Sequence, residues 1–416
     1  MGASVQISRV GSVGRMTYDV ATVRAQFPAL RAGFAHLDGP AGTQVPEAVA
    51  RAVADTLTSP IANRGRGTAA ERLADDVVLG ARSAVADLLG ADPRGVVFGR
   101  SATQLTFDLA RTLASSWGPG DEVVVTRLDH DANIRPWVVA AEAVGASVRW
   151  AAFDPSTGEL TADDVAEVLT GQTRLVALTG ASNLIGTRPA VAEIAALANG
   201  AGALLAVDGV HLTAHAPVDV GVLGADFFTC SPYKFLGPHC GVLAAAPDLL
   251  ETLSPAKLLP SSDEVPERFE LGTLPYELMA GTTAAIDFLA GLSDRSGTRR
   301  ERLLTAMALV ESHEDGLREH LEAGLAELPG VRLWSRATHR TPTLLLTFDG
   351  HGAEDANQFL ADRGVYARAG NFYAIEASRW LGLGDTGGLR AGLAPYTDRD
   401  DVDRLLSGLR EFLAVR

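Results

Sequence analysis

Ser231-Pro232-Tyr233-Lys234-Phe235-Leu236-Gly237-Pro238 follows a short apolar run, Phe227 to Thr229, and sets one lysine just beyond what reads as the end of a buried strand. A lone lysine at a strand end is most often a solvated surface charge. The neighbours here are apolar, and an apolar pocket lowers an ammonium pKa because burial penalises the charged form. The neutral amine that results is what Schiff-base chemistry requires.

Asp208 stands 26 residues upstream, at the end of another strand-like run, Leu204 to Val207, and before Gly209. A strand-end carboxylate before glycine is also common in metal and nucleotide sites. It suits a further role as well. The ring nitrogen of pyridoxal 5'-phosphate (PLP) stays protonated, and the ring an electron sink, beside such a partner. Two successive strand ends place Asp208 and Lys234 at one crevice.

Further strand-like runs are Val96 to Phe98, Glu122 to Thr126, Ser147 to Ala151 and Leu175 to Thr179. Helical spacing marks Gln104 to Ser115 and Ala190 to Ala198. The alternation predicts an α/β fold with a mostly parallel sheet and helices on both faces. Two strand exits carry further candidates. Gly99-Arg100-Ser101-Ala102-Thr103 puts small residues at a helix N-terminus, either as a plain cap or as an anion cradle to which Thr103 adds a hydroxyl. Leu128-Asp129-His130-Asp131-Ala132-Asn133 puts His130 after a strand, as a surface-loop residue or as an imidazole stacked on a ring.

Beyond about residue 275 the pattern changes. Long helical stretches, Tyr276 to Leu292 and Arg299 to Leu328, precede a strand at Thr343 to Phe348, a helix near Glu354 to Arg363, a strand near Val365 and a last helix from Asp400 to Leu413. This predicts a large domain over 35–275 and a smaller α+β C-terminal domain over 276–416, with 16–34 packing on the smaller one. Residues 1–15 are expected to be an extension outside the fold, because the better-patterned sequence starts at Met16.

The 416 residues are 47% hydrophobic and 21% charged, an ordinary globular balance for about two to three domains. A net charge of -15 disfavours nucleic acid as a partner. Two cysteines, Cys230 and Cys240, exclude a disulfide-built fold and point to a reducing compartment, the cytoplasm. No apolar run reaches the ~20 residues of a membrane span. Cys230 is expected to be a buried structural thiol, and Cys240, after His239 in a turn, has some prospect of exposure.

As an ordered set, these residues resemble the class V aminotransferase family, in its cysteine-desulfurase-like branch, from about His36-Leu37-Asp38 to the C-terminus. The set is His130 with Asn133 and Trp137, Ala181-Ser182-Asn183 with Gly186-Thr187, Asp208, His211, Ser231 and Lys234. The resemblance implies a PLP-dependent transferase of fold type I. It makes Lys234 the cofactor-bearing lysine, Asp208 the pyridine-nitrogen partner and His130 the stacking imidazole. Asn183 and His211, where many relatives have glutamine, would lie near the cofactor. Ala102, Thr103 and Ser231 would hold its phosphate. Thr273, in Phe269-Glu270-Leu271-Gly272-Thr273, would reach the phosphate of a neighbouring subunit, so a homodimer is expected. Arg390 would clamp a substrate α-carboxylate, as a bidentate guanidinium is well suited to do.

One departure bears on the reaction. Relatives of the desulfurase kind place a nucleophilic cysteine on a loop that reads Arg368-Ala369-Gly370-Asn371-Phe372-Tyr373-Ala374 here, and Tyr373 takes the cysteine's place. The expectation is therefore an amino-acid lyase that cleaves a C–S bond by β-elimination, without a protein persulfide. The alternatives are transamination, decarboxylation or epimerisation at the α-carbon, and a non-catalytic scaffold.

Three patterns carry no such weight. Gly382-x-Gly384-x-x-Gly387 has the letters of a dinucleotide loop but follows a helical stretch. His211 and His215 are four apart, yet no glutamate of a zinc-protease motif accompanies them, and no metal site is expected. Asp129-His130-Asp131 lacks further ligands.

Overall fold

The computed structural model describes residues 18–414. The first fifteen residues, expected to be an extension, lie outside these. The central sheet has seven strands: β1 (Val96–Gly99), β2 (Glu122–Thr126), β3 (Ser147–Ala151), β4 (Thr173–Thr179), β5 (Leu204–Asp208), β6 (Phe227–Cys230) and β7 (Gly241–Ala245). Their order is β1-β7-β6-β5-β4-β2-β3. Every neighbouring pair is parallel except the two that include β7. Six strands therefore point one way, and β7 alone opposes them.

The interior strands read as unbroken apolar runs because both faces are covered. Leu175, Val176, Ala177 and Leu178 of β4 are all buried. Alternate residues feed two separate cores: Val96 and Phe98 face one, Val97 the other. Helices Ala69–Leu89 and Tyr276–Ala290 pack on the first side, and Ala102–Ala114 and Arg135–Val144 on the second. The helix Ala69–Leu89 starts at a capping box, in which Thr68 and Glu71 satisfy each other's backbone N–H groups.

A second sheet is antiparallel throughout: β8 (Val331–Leu333), β9 (Thr343–Phe348), β10 (Arg368–Gly370) and β11 (Gly388–Gly392), in the order β10-β11-β9-β8. The helices Ala353–Ala361 and Arg399–Ala414 cover it and build a third core. Ala35–His36 pairs in parallel with Val365–Tyr366. Phe27 packs edge-on against Phe288, centroids 5.6 Å apart, and against Tyr396 at 5.0 Å. Tyr276–Ala290, although it follows the large sheet in sequence, packs against helices Glu47–Thr58 and Ala69–Leu89. Among the described residues no helix is long and apolar enough to cross a membrane.

The common direction of six strands collects their carboxyl ends along one edge. Gly99, Thr126, Thr179, Asp208 and Cys230 end there, and the loops that follow hold the candidates. Two glycines let those loops close on one another. A Cβ at Gly209 would come within 1.9 Å of the Phe228 ring, and one at Gly241 within 2.2 Å of the Ser101 carbonyl carbon.

Candidate active site

The strand ends open onto a cavity of ≈ 960 Å³ that also touches the loop after β10. Lys234, Asp208, His130, His211, Asn183, Ser231, Ala102, Thr103 and Arg390 all belong to its wall. Residues up to 288 positions apart, from Ala102 to Arg390, thus meet at one place. Thr273 does not join them. It lies exposed, away from the cavity of its own chain.

Lys234 ends a single 3-10 turn, Pro232–Lys234, that leaves β6. Its Nζ donates to the carbonyl of Pro40 and lies 4.9 Å from the centre of the Tyr233 ring. Burial, then the positive charge of Arg390, pulls its pKa down to about 7, against the opposing pull of Asp38 and Asp208. Near neutral pH a large share of the amine is therefore free. Asp208 accepts from the Val210 N–H at 2.9 Å through one oxygen, and burial pushes its pKa up to about 6. A cationic ring nitrogen at its other oxygen would restore the carboxylate.

His130 accepts from the Ala132 N–H at 2.9 Å through Nδ1. Burial first, and then Lys234, takes its pKa down to about 4. The imidazole is neutral, and with Nδ1 accepting, its proton is on Nε2. Behind it Asp129 is fully buried. It takes a hydrogen bond from Thr126 Oγ1 and another from Asn133 Nδ2 at 2.7 Å, and Asn133 Oδ1 accepts from Trp137 Nε1 at 3.1 Å. Burial raises the Asp129 pKa to about 8. This buried chain fixes the backbone that aims His130.

Arg390 reaches the cavity from β11 and is 1% exposed. Its Nη2 donates to Asp38 Oδ1 and its Nη1 to the Asn183 carbonyl, each at 2.9 Å. The Phe372 ring covers the guanidinium at 3.6 Å. Phe372 and Tyr373 both have left-handed backbone, φ 54° and 60°, which is uncommon for aromatic residues. Three hydrogen bonds hold them so: Asn183 Nδ2 to Phe372 O at 2.9 Å, the Asp131 N–H to Tyr373 O at 2.7 Å, and the Tyr373 N–H to Asn371 Oδ1 at 3.0 Å. Tyr373, 74% exposed, stands at the mouth with its ring 5.5 Å from that of His130.

Both thiols are out of reach. Cys230 is completely buried, and burial pushes its pKa far up. Cys240, for which the turn suggested some exposure, is 2% exposed. It sits 3.5 Å from Thr282 Oγ1 under the helix Tyr276–Ala290, and burial lifts its pKa to about 11. A turn residue is exposed only where nothing packs on the turn, and here a helix does.

The wall fits PLP. It offers a partly deprotonated amine, a carboxylate with a free oxygen and a neutral imidazole. It also offers the N-terminus of the 13-residue helix Ala102–Ala114 as an anion cradle, with Ser231 beside it. Asn183 Oδ1 and His211 Nδ1 are buried with no partner among the described residues. Among the described residues no group of three or more His, Cys, Asp or Glu could hold a metal ion. Sequence reasoning missed two site residues, Asp38 and Phe372, as partners of Arg390. The one available signal for Asp38 was chemical: a buried arginine needs an acid.

Comparison with known proteins places these features in a family. The model of Aminotransferase class-V matches residues 35–405. An uncharacterized protein of Mycobacterium tuberculosis is 34% identical over 397 residues, 95% of this chain and 99% of that one. The crystal structure of the Escherichia coli cysteine desulfurase CsdA, in an S-sulfonic acid form, superposes with a TM-score of 0.83 at 31% identity, covering 95% of this chain and 98% of that one. C-DES, solved as a mutant with glycine covalently linked to the PLP cofactor, shares the fold at TM-score 0.77 and 23% identity, over 93% of this chain and 99% of its own.

Proposed function

The chain belongs to the aminotransferase class-V family and is a PLP-dependent enzyme, and from that premise we propose that it cleaves a C–S bond of an amino acid by β-elimination. One observation carries this reading: Tyr373 occupies the loop position of the acceptor thiol, and both cysteines of the chain are buried. No side chain is then placed to take up sulfur as a persulfide, so the sulfur leaves as the free thiol or sulfide.

When bound, PLP supplies the electron sink that allows bonds at the substrate α-carbon to break. The residues of the chain do the rest. Lys234 anchors the group and then, as a free amine, removes the α-proton; an amine with a pKa about 7 is matched to that work near neutral pH. Asp208 keeps the ring nitrogen charged. The N–H groups of Ala102 and Thr103, with the hydroxyls of Thr103 and Ser231, hold the phosphate. Arg390 takes the substrate carboxylate on a guanidinium kept dry by Phe372. His130 would face the ring as a neutral imidazole whose Nε2–H donates a hydrogen bond to the leaving sulfur, and the proton that Lys234 takes from the α-carbon would go to that sulfur. Asn183 and His211 line the remaining wall.

We also propose a homodimer. Thr273 would complete the phosphate site of a second copy, and the segment around it exposes apolar side chains that a partner would cover: Leu258 at 66%, Leu259 at 97% and Leu271 at 52%. A Leu259→Asp variant should dissociate in light scattering and lose PLP affinity; a monomeric wild type of full activity would refute the assignment. Two reduced, buried thiols fit the cytoplasm.

L-cysteine with the holoenzyme, beside a Lys234→Ala control, tests the reaction. Sulfide with equimolar pyruvate, absent from the control, supports elimination. No sulfide from a PLP-loaded protein would turn the reading to transamination, or to another reaction at the α-carbon, on a different amino acid.

A further inference from the structure

Glu314 lies in the middle of the helix Arg299–Ala326, in line with Leu303, Met307, Val310 and Leu321, and is as buried as they are. That position suits an apolar side chain. Its Oε2 instead meets His215 Nδ1 at 2.8 Å. The His215 ring meets the His211 ring at 4.7 Å, 69° apart in plane. The Nε2 of His211 lies 3.0 Å from Thr341 Oγ1 and 2.9 Å from Thr343 Oγ1. His211 itself is cavity wall. A polar column thus runs from the cofactor cavity through two histidines to a carboxylate on the helix Arg299–Ala326.

The column is costly. Glu314 Oε1, His215 Nε2 and His211 Nδ1 have no hydrogen-bond partner among the described residues. A buried acid–base pair with unfilled hydrogen-bonding sites is commonly less stable than an apolar pair of the same volume. Packing alone gives no reason for it. We infer that Glu314, acting through His215, is a positioning residue that holds His211 as a fixed, uncharged imidazole on the cofactor wall.

Burial first, and then the bases that face it, His215, Lys234 and Arg390, oppose protonation of the His211 ring. Those that face Glu314 are His215, His313 and Asp315, with Tyr18 and Tyr396 nearby. Glu314 Oε2 holds His215 Nδ1 at 2.8 Å and so fixes the ring that packs on His211. The threonine hydroxyls take up His211 Nε2. Thr341 Oγ1 also turns toward the Gly186 carbonyl at 3.4 Å, which leaves its lone pair for an Nε2–H. Loss of Glu314 frees the His215 ring, and with it the face on which His211 rests.

The test uses the holoenzyme and the variants Glu314→Gln, Glu314→Leu and Thr343→Val. The readouts are the pH midpoint of the visible absorption of the lysine-bound cofactor, the PLP dissociation constant and the melting temperature. Both Glu314 variants should shift the midpoint by about 0.5 unit or more and weaken PLP about 3-fold or more, with Glu314→Leu melting no lower than wild type. Thr343→Val, which releases one side of His211 and leaves the pair intact, should weaken PLP to a similar extent. A folded Glu314→Leu with unchanged midpoint and unchanged PLP affinity would make the pair mere filling and overturn the inference. If both Glu314 variants fail to fold, Thr343→Val decides, and an unchanged dissociation constant there overturns it too.

Discussion

Phe372 lies on the guanidinium of Arg390 at 3.6 Å, while Asp38 and the Asn183 carbonyl hold the edge of that guanidinium at 2.9 Å each. The planar cation is fixed from one face and two corners, so a carboxylate would meet an arginine that is already oriented and dry. Phe372→Ala should raise KM for the amino acid about 10-fold, with a smaller effect on kcat. Steady-state kinetics check this, and an unchanged KM would remove Arg390 from carboxylate binding.

The amine of Lys234 should govern how the apoprotein takes up PLP. Its pKa is lowered to about 7, so the reactive form is lost as pH falls below that value. Uptake, followed by the visible band, should rise with a midpoint near pH 7 and level off above it. A lysine in water would still be gaining at about pH 9. Lys234→Arg should give no band at any pH.

Glu270 pins the segment that carries Thr273. It pairs with Arg82 at 2.7 Å, where both side chains are 4% exposed, and it accepts the Phe98 N–H of β1 at 3.0 Å. Glu270→Ala leaves Arg82 with Glu267 alone, at 2.6 Å, and the buried Phe98 N–H without its acceptor, and should cost about 2 kcal/mol in denaturant unfolding. The same variant should weaken the dimer, because the loop at the proposed interface loses its anchor.

The two thiols should be silent. Cys230 and Cys240 are buried, with pKa values driven up by burial. A thiol reagent should modify neither in the native protein and both after unfolding. The double variant Cys230→Ala/Cys240→Ala should release sulfide from L-cysteine within about 2-fold of wild type. A large loss of sulfide in a folded double variant would show that one of these thiols takes part.

Much of this was legible in sequence. Glu122–Thr126, Ser147–Ala151 and Thr343–Phe348 match their runs residue for residue; the first and last are almost wholly buried and apolar, while the edge strand Ser147–Ala151 stands out by the turn residues that bound it. The order of Asp208 and Lys234 at successive strand ends was enough to place both at one cavity. The glycines 382, 384 and 387 form a left-handed turn between the helix Ile375–Trp380 and β11, as their context implied. Other elements left weaker traces. Gly241–Ala245 is short and rich in glycine and alanine, and it is the one strand that reverses direction in the sheet. The helix Ala69–Leu89 went unread although Thr68 and Glu71 mark its start. Glu314 is hidden among the exposed and half-buried acids of its own helix, because only the tertiary fold distinguishes the buried one. The pairing of Arg390 with Asp38 spans 352 positions, and no local spacing predicts it.

In the proposed reaction the chain eliminates sulfur because its loop carries a phenol where a thiol would receive it. The ratio of alanine to pyruvate formed from L-cysteine by wild type and by Tyr373→Cys, each with PLP bound and with a reductant present, decides the matter. Pyruvate is expected from the wild type. Alanine is expected from the variant, whose new thiol can take the sulfur as a persulfide and pass it to the reductant as sulfide. Alanine as the main product of the unmodified enzyme would refute elimination.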